Sequence, residues 1–145
     1  MNSKADQAVA CFNNNFNCSQ AVFSTFCESL GLDPAIALKI ACGFGAGMGY
    51  SGETCGAVTG ALMLIGLKYG KSTPENNQAK DKTYALVQEF AKRFREIHGS
   101  LKCKELLPYD ISISEELKKA REEGLFATVC PELVKSAAAI VEEIL

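Results

Sequence analysis

The sequence predicts an all-α fold, a compact single-domain helical bundle of about five to seven helices spanning residues 1–145, and three observations predict it. Apolar residues recur at threes and fours through most of the chain, Gly and Pro fall where those patterns stop and start, and no run alternates as a half-buried strand does. At 145 residues and 48% hydrophobic content the chain can bury one core, with little room for a second domain.

Each element has its own signals. A first helix is expected from about Ser3, closed by the polar Asn13-Asn14-Asn15, and a second from near Asn17, with Ala21, Val22, Phe26 and Leu30 on its apolar face and Gly31 as its stop. Asp33-Pro34 supplies an N-cap and a favourable first residue for a third helix ending at Gly43. The glycine-rich stretch 43–52 reads as a loop. A fourth helix, from about Thr54 to Tyr69, is apolar on nearly every side and is expected to be the central helix of the bundle. Thr73-Pro74 is expected to cap a long fifth helix, patterned by Tyr84, Val87, Ala91, Phe94 and His98 and ended by Gly99. Ser100 caps a short turn through Leu107, Ser112 with Glu115 forms a capping box for a helix up to Gly124, and Cys130-Pro131 opens the last helix, packed through Val134, Ala138, Val141 and Leu145.

Composition narrows the function. The formal charge of −2, with acids and bases interspersed, gives no electrostatic footprint for nucleic acid. The start of the chain lacks a basic segment followed by an apolar one, and the longest apolar run, Cys55 to Leu67, is too short for a membrane span, so a cytoplasmic location and no membrane partner are expected. The partner is expected to be a small molecule or a redox partner protein, with homo-oligomerisation left open. Asp and Glu are not spaced for acid–base catalysis, and one histidine gives little basis for a Cys-His nucleophilic pair. His98 at a helix C-terminus is explained by the helix dipole.

Seven cysteines are a heavy load for a chain of this length, and an odd number does not make a fully paired disulfide framework. Cys18, Cys55, Cys103 and Cys130 fall in the first turn of a predicted helix, where unpaired backbone N–H groups and the positive end of the dipole favour a thiolate, the form that attacks and ligates. Cys11, Cys27 and Cys42 lie on or at the end of apolar faces and read as core residues.

Asn17-Cys18-Ser19-Gln20-Ala21-Val22, the glycine loop leading into Gly52-Glu53-Thr54-Cys55-Gly56-Ala57-Val58-Thr59-Gly60-Ala61-Leu62-Met63, and then Cys103 and Cys130 resemble the C_GCAxxG_C_C family of redox-active proteins over almost the whole chain. The resemblance implies four functional cysteines at Cys18, Cys55, Cys103 and Cys130 and a redox role without an assigned substrate. It also implies a relation to domains beside haem-binding segments in split-Soret cytochromes, where an iron–sulfur centre is associated with such cysteines. The family label has Gly-Cys-Ala where this chain has Cys55-Gly56-Ala57, a shift of one position.

Three chemistries follow. The four cysteines could ligate an iron–sulfur cluster for electron transfer, the first-ranked reading, which the absence of any C-x-x-C does not support locally. Two of them could instead form a reversible disulfide in a thiol–disulfide oxidoreductase or redox sensor, and the third alternative is a structural zinc site. Gly52, Gly56 and Gly60, four apart, leave a smooth groove where a cofactor or another backbone could approach Cys55. Gly47 to Gly52 also fits G-x-G-x-x-G, but a helix rather than a strand precedes it, which argues against dinucleotide binding.

Overall fold

The structure is a computed structural model that describes residues 3–145. It is all-helical, and among the described residues the sole strand-like contact is one bridge between Thr54 and Lys102. The helices are α1 (Lys4–Asn13), α2 (Cys18–Cys27), α3 (Pro34–Ala41), α4 (Gly56–Tyr69), α5 (Asn77–His98), α6 (Cys103–Leu106), α7 (Ser114–Glu122), α8 (Leu125–Thr128) and α9 (Cys130–Ile144). Because α8 runs into α9 through Val129, these amount to eight helices, more than the five to seven expected. The excess comes from short pieces, since a four-residue helix such as α6 carries no periodic pattern to read.

Local chemistry explains most boundaries. Ser3 caps α1 by accepting from the Asp6 N–H. Asn17 and Gln20 form a reciprocal capping box at the start of α2, and Asp33 accepts from the Ile36 N–H ahead of Pro34. Gly31, Gly99 and Gly124 follow helical segments with φ near +88°, +86° and +67°, the left-handed geometry that ends a helix most readily at glycine. Two expected caps are replaced. The long helix α5 starts at Asn77 under Asn76, whose Oδ1 accepts from the Ala79 N–H, leaving Thr73-Pro74 in the preceding turn. At α7 the N-cap is Ile113 without a side-chain cap, and a different carboxylate, Glu116, accepts from the Asp110 N–H.

The expectation of a central α4 needs correction. The helix surrounded on most sides is α2, which packs on α1, α3, α4 and α9 and buries Ala21, Val22, Phe23, Phe26 and Cys27. Helix α4 packs on α2, α5 and α9 but leaves Leu62 and Met63 half-buried and Leu67 exposed. Its all-round apolarity has a second cause besides encirclement: Gly56 and Gly60 present a bare backbone to α2. A Cβ at Gly60 would lie 2.7 Å from the Ser19 carbonyl oxygen, and one at Gly56 would lie 3.0 Å from the Ser19 nitrogen. Ser19, fully buried at that contact, shares a hydrogen bond with Thr59, 3.2 Å between hydroxyls; Thr59 in turn donates to the Gly56 carbonyl, which makes Ser19 the donor of the pair. Phe90 and Phe94 of α5 close the main core, and a smaller one gathers Leu107, Ile111 and Ala120 around Cys103.

No single helix among the described residues is long and apolar enough to cross a membrane.

The glycine-rich stretch is more ordered than a loop. After a 3-10 turn at Cys42–Phe44, five successive residues, Ala46 to Tyr50, have φ between +54° and +70°, and the Gly49 N–H donates to the Gly45 carbonyl at 2.8 Å. This is one turn of left-handed helix. Ala46, Met48 and Tyr50 carry side chains there, each at a cost of about 1–2 kcal/mol. Gly47 has a second reason to be glycine, because a Cβ would meet the Glu53 nitrogen at 2.7 Å and the Cys103 Cβ at 2.8 Å.

Candidate functional site

The close approach of α2 and α4 sets their N-termini side by side, and with them Cys18, the first residue of α2, and Cys55, the N-cap of α4. A second device adds Cys103. The Cys55 N–H donates to the Leu101 carbonyl at 2.7 Å, the Cys103 N–H to the Glu53 carbonyl at 2.6 Å and the Lys104 N–H to the Gly52 carbonyl at 3.0 Å, so the segments entering α4 and α6 lie antiparallel. Cys130, the first residue of α9, completes the set. All four are buried, between 2% and 8% exposed, and all four line one open cavity of about 640 Å³.

The left-handed turn lies against the same cavity. Ala46 lines it, and the Ala46 N–H is directed at Cys18. Asn17 anchors the turn's entry: its side-chain amide donates to the Cys42 carbonyl at 2.8 Å, and a Cβ at Gly45 would collide with it. Gln20 extends the clamp by donating to the Leu38 carbonyl at 3.0 Å.

The four sulfurs differ electrostatically. The hydrogen bond from the Cys55 thiol lowers Cys18 to about 7; the N–H groups of Ala46, Cys18 and Ala57 add to the effect, and together they outweigh the opposing desolvation. Cys55, whose proton serves that bond, is raised well above the ordinary thiol value by its interaction with Cys18 and by burial. Burial, followed by the charges on Cys18 and Asp110, pushes Cys103 up to about 12. Cys130 is raised too, by burial and by the charges on Cys18 and Cys103. The expectation that every helix-start cysteine favours its thiolate is therefore corrected. With protein groups alone the cavity favours one thiolate, because each further charge must be desolvated beside the first, and one helix N-terminus per sulfur does not offset that.

The residues assigned to the core divide. Cys27 is fully buried, with its thiol 3.5 Å from the Ser24 carbonyl, and burial raises its pKa. Cys11 is partly buried, 3.6 Å from the Ser24 hydroxyl. Cys42 is exposed, contrary to the core reading, because the chain leaves α3 in a tighter 3-10 turn that rotates this position outward. None of the three lines the four-cysteine cavity.

Of the three glycines marked for a cofactor groove, only Gly56 lines the cavity. Gly60 is covered by Ser19 and Val22 of α2, and Gly52 by Lys104 and Asp110, so at both the space is filled by protein. The dipole reading of His98 also changes. Its Nε2 is buried without a hydrogen-bond partner, its ring packs on Phe94 at 4.7 Å between centroids, and burial lowers its pKa, which favours neutral imidazole.

Tyr50 and Arg121, both lining the cavity, escaped the sequence reading. Arg121 donates to the Tyr50 hydroxyl at 3.0 Å and stands 5.2 Å from its ring centroid. Seventy-one positions separate them, and an arginine on a polar helix gives no sequence signal of such a contact.

Among the described residues, no group of three or more His, Cys, Asp or Glu side chains is placed to hold a metal ion. The donor set itself, four cysteines around one cavity, has the chemistry of cluster ligation.

An uncharacterized protein of Archaeoglobus fulgidus is 26% identical over 124 residues, covering 80% of this chain and 82% of its own length. No solved structure matches the chain. The family described as "Putative redox-active protein (C_GCAxxG_C_C)" matches residues 16–144, a span that begins just before Cys18, ends within α9 and takes in all four cavity cysteines. The chain belongs to the C_GCAxxG_C_C family.

Proposed function

We propose that this protein is a thiol–disulfide redox protein in which Cys18 is the attacking thiolate and Cys55 the resolving thiol. One observation carries the reading: Cys18 and Cys55 line one cavity at the adjoining starts of α2 and α4, where their interaction lowers Cys18 to about 7 and raises Cys55. A thiolate near that value is substantially ionised at neutral pH while keeping useful nucleophilicity. The Cys18 thiolate attacks one sulfur of a disulfide, forming a mixed disulfide and expelling the other sulfur as a thiolate. That leaving thiolate takes up the Cys55 proton. The Cys55 thiolate so formed attacks the Cys18 sulfur, closes a Cys18–Cys55 bridge and expels the second substrate thiolate. The protein is oxidised by two electrons and the external disulfide is reduced to two thiols. This ranks the disulfide chemistry above the cluster, because the contrast between Cys18 and Cys55 supplies an attacking and a resolving sulfur within one cavity.

A second reading, a cysteine-ligated iron–sulfur cluster, is favoured by the convergence of all four cysteines on one cavity. Cys18, Cys55, Cys103 and Cys130 would hold it, and it would supply one-electron transfer.

Anaerobic purification with iron and labile-sulfide analysis, followed by thiol titration, separates the two. The disulfide reading expects a colourless protein whose free-thiol count falls by two on treatment with 2-hydroxyethyl disulfide, with Cys18 and Cys55 joined in the peptide map. Co-purifying iron and sulfide, with visible absorbance lost in Cys55→Ser, would replace it with the cluster reading. A bridge that excludes Cys18 would refute the assigned nucleophile.

A further inference from the structure

The charge pattern of the cavity goes further than its sulfur chemistry. Among the described residues that line it, Arg121 is the one cation and there is no carboxylate. Around it the wall is apolar, with Phe12, Phe16 and Phe126, and carries neutral amides such as Asn13 and Asn15. In a protein of net negative charge, a cavity wall without a carboxylate is a local departure.

Arg121 is held there. The Tyr50 ring lies beneath its guanidinium and the Tyr50 hydroxyl accepts one of its N–H groups, leaving donors free for another acceptor. Tyr50 is itself fixed at φ +68° as the last residue of the left-handed turn, whose Ala46 N–H faces Cys18. The same strained segment thus stabilises the thiolate and presents the cation, and backbone strain retained at a site of this kind is characteristic of function.

We infer that the substrate is a small disulfide carrying a carboxylate, with Arg121 as the specificity-determining residue that binds the carboxylate at the mouth while the disulfide reaches Cys18, and Tyr50 as its positioning residue. This rests on the thiol–disulfide reading above. A guanidinium forks onto a carboxylate through two parallel N–H bonds, a match that an ammonium group or a neutral wall does not provide. The cavity volume falls within the range of small-molecule sites.

The test uses the full-length reduced protein at neutral pH and low salt with three probes: the dicarboxylate dithiodiglycolate, neutral 2-hydroxyethyl disulfide and cationic cystamine. The rate of Cys18–Cys55 bridge formation is read by quenched alkylation and mass spectrometry, each divided by the rate of the same disulfide with a small free thiol. The expected order is dicarboxylate, neutral, cationic. Arg121→Gln should slow the dicarboxylate about tenfold and leave the neutral probe within about twofold, and added salt should shrink the preference in the native protein. Arg121→Lys should keep part of the preference, and Tyr50→Phe, which retains the ring but not the hydroxyl, should lower it about two- to threefold. If Arg121→Gln slows all three probes equally or none of them, Arg121 does not select the substrate, although the bridge still forms. If the neutral probe fails to bridge Cys18 and Cys55 even in the native protein, the thiol–disulfide reading falls, and the substrate assignment with it.

Discussion

The two ends of α2 carry the same residue in opposite circumstances. Cys18 and Cys27 are both buried, yet Cys18 is lowered to about 7 and Cys27 is raised. At the start of the helix, backbone N–H groups without helical partners, the Ala46 N–H of the left-handed turn and the Cys55 thiol all face one sulfur. At the far end, burial and the charges on Glu28 and Asp33 outweigh the N–H groups of Cys27 and Glu28, and the Cys27 thiol donates to the Ser24 carbonyl. Burial alone makes a cysteine an inert piece of core, and the supply of donors around it decides whether it becomes a nucleophile.

The sharpest way to break this comparison is to exchange the two ends. Cys18→Ser is expected to slow disulfide exchange by about 10³-fold or more, since a hydroxyl does not replace the thiolate nucleophile. Cys27→Ala should leave the rate unchanged and cost about 1 kcal/mol in stability as a small core truncation. Thiol-exchange kinetics and urea denaturation of both variants check this; equal rates in the two would remove the distinction between them.

The pH dependence tests the same asymmetry. The exchange rate should rise with pH around a midpoint of about 7, where Cys18 ionises, rather than at the ordinary thiol value of 9.0. For stability the signs are opposite. Cys18, depressed in the folded state, contributes stability present above its unfolded value and lost as pH falls from about 9 to about 7. Cys103, raised to about 12, contributes stability present below about 9 and lost as pH climbs from there towards 12, and Cys55 and Cys130 act in the same direction. The domain should therefore weaken in alkali, and Cys103→Ala should weaken less, as measured by denaturation midpoints across that range.

The packing that brings the sulfurs together gives a third test. Gly60→Leu places a side chain against the Ser19 backbone and should destabilise by about 1–3 kcal/mol while moving Cys55 away from Cys18. The exchange rate should fall together with the melting temperature. Gly66→Ala, on the same helix but with open space at the added Cβ, should instead stabilise by about 0.5–1 kcal/mol and leave the exchange rate unchanged. Equal effects of these two substitutions on melting temperature would show that the α2–α4 contact is looser than the glycine geometry indicates.

Where the cause is local, the residue types were enough. The caps at Ser3, Asn17 and Asp33, the stops at Gly31, Gly99 and Gly124, and the position of four cysteines at helix starts all depend on backbone groups within a few residues, and they are legible from the residue types. Tertiary structure decided the rest. Whether Gly60 faces a cofactor or Ser19 depends on which helix comes to lie over it, and Cys42 is exposed because the chain turns there. Gly45 and Gly47 are held to glycine by Asn17, Glu53 and Cys103, neighbours that the glycine content of the stretch does not reveal. A pKa depends on desolvation and on neighbours brought from as far as 112 positions away, so four cysteines with one local signal become a single thiolate among three thiols.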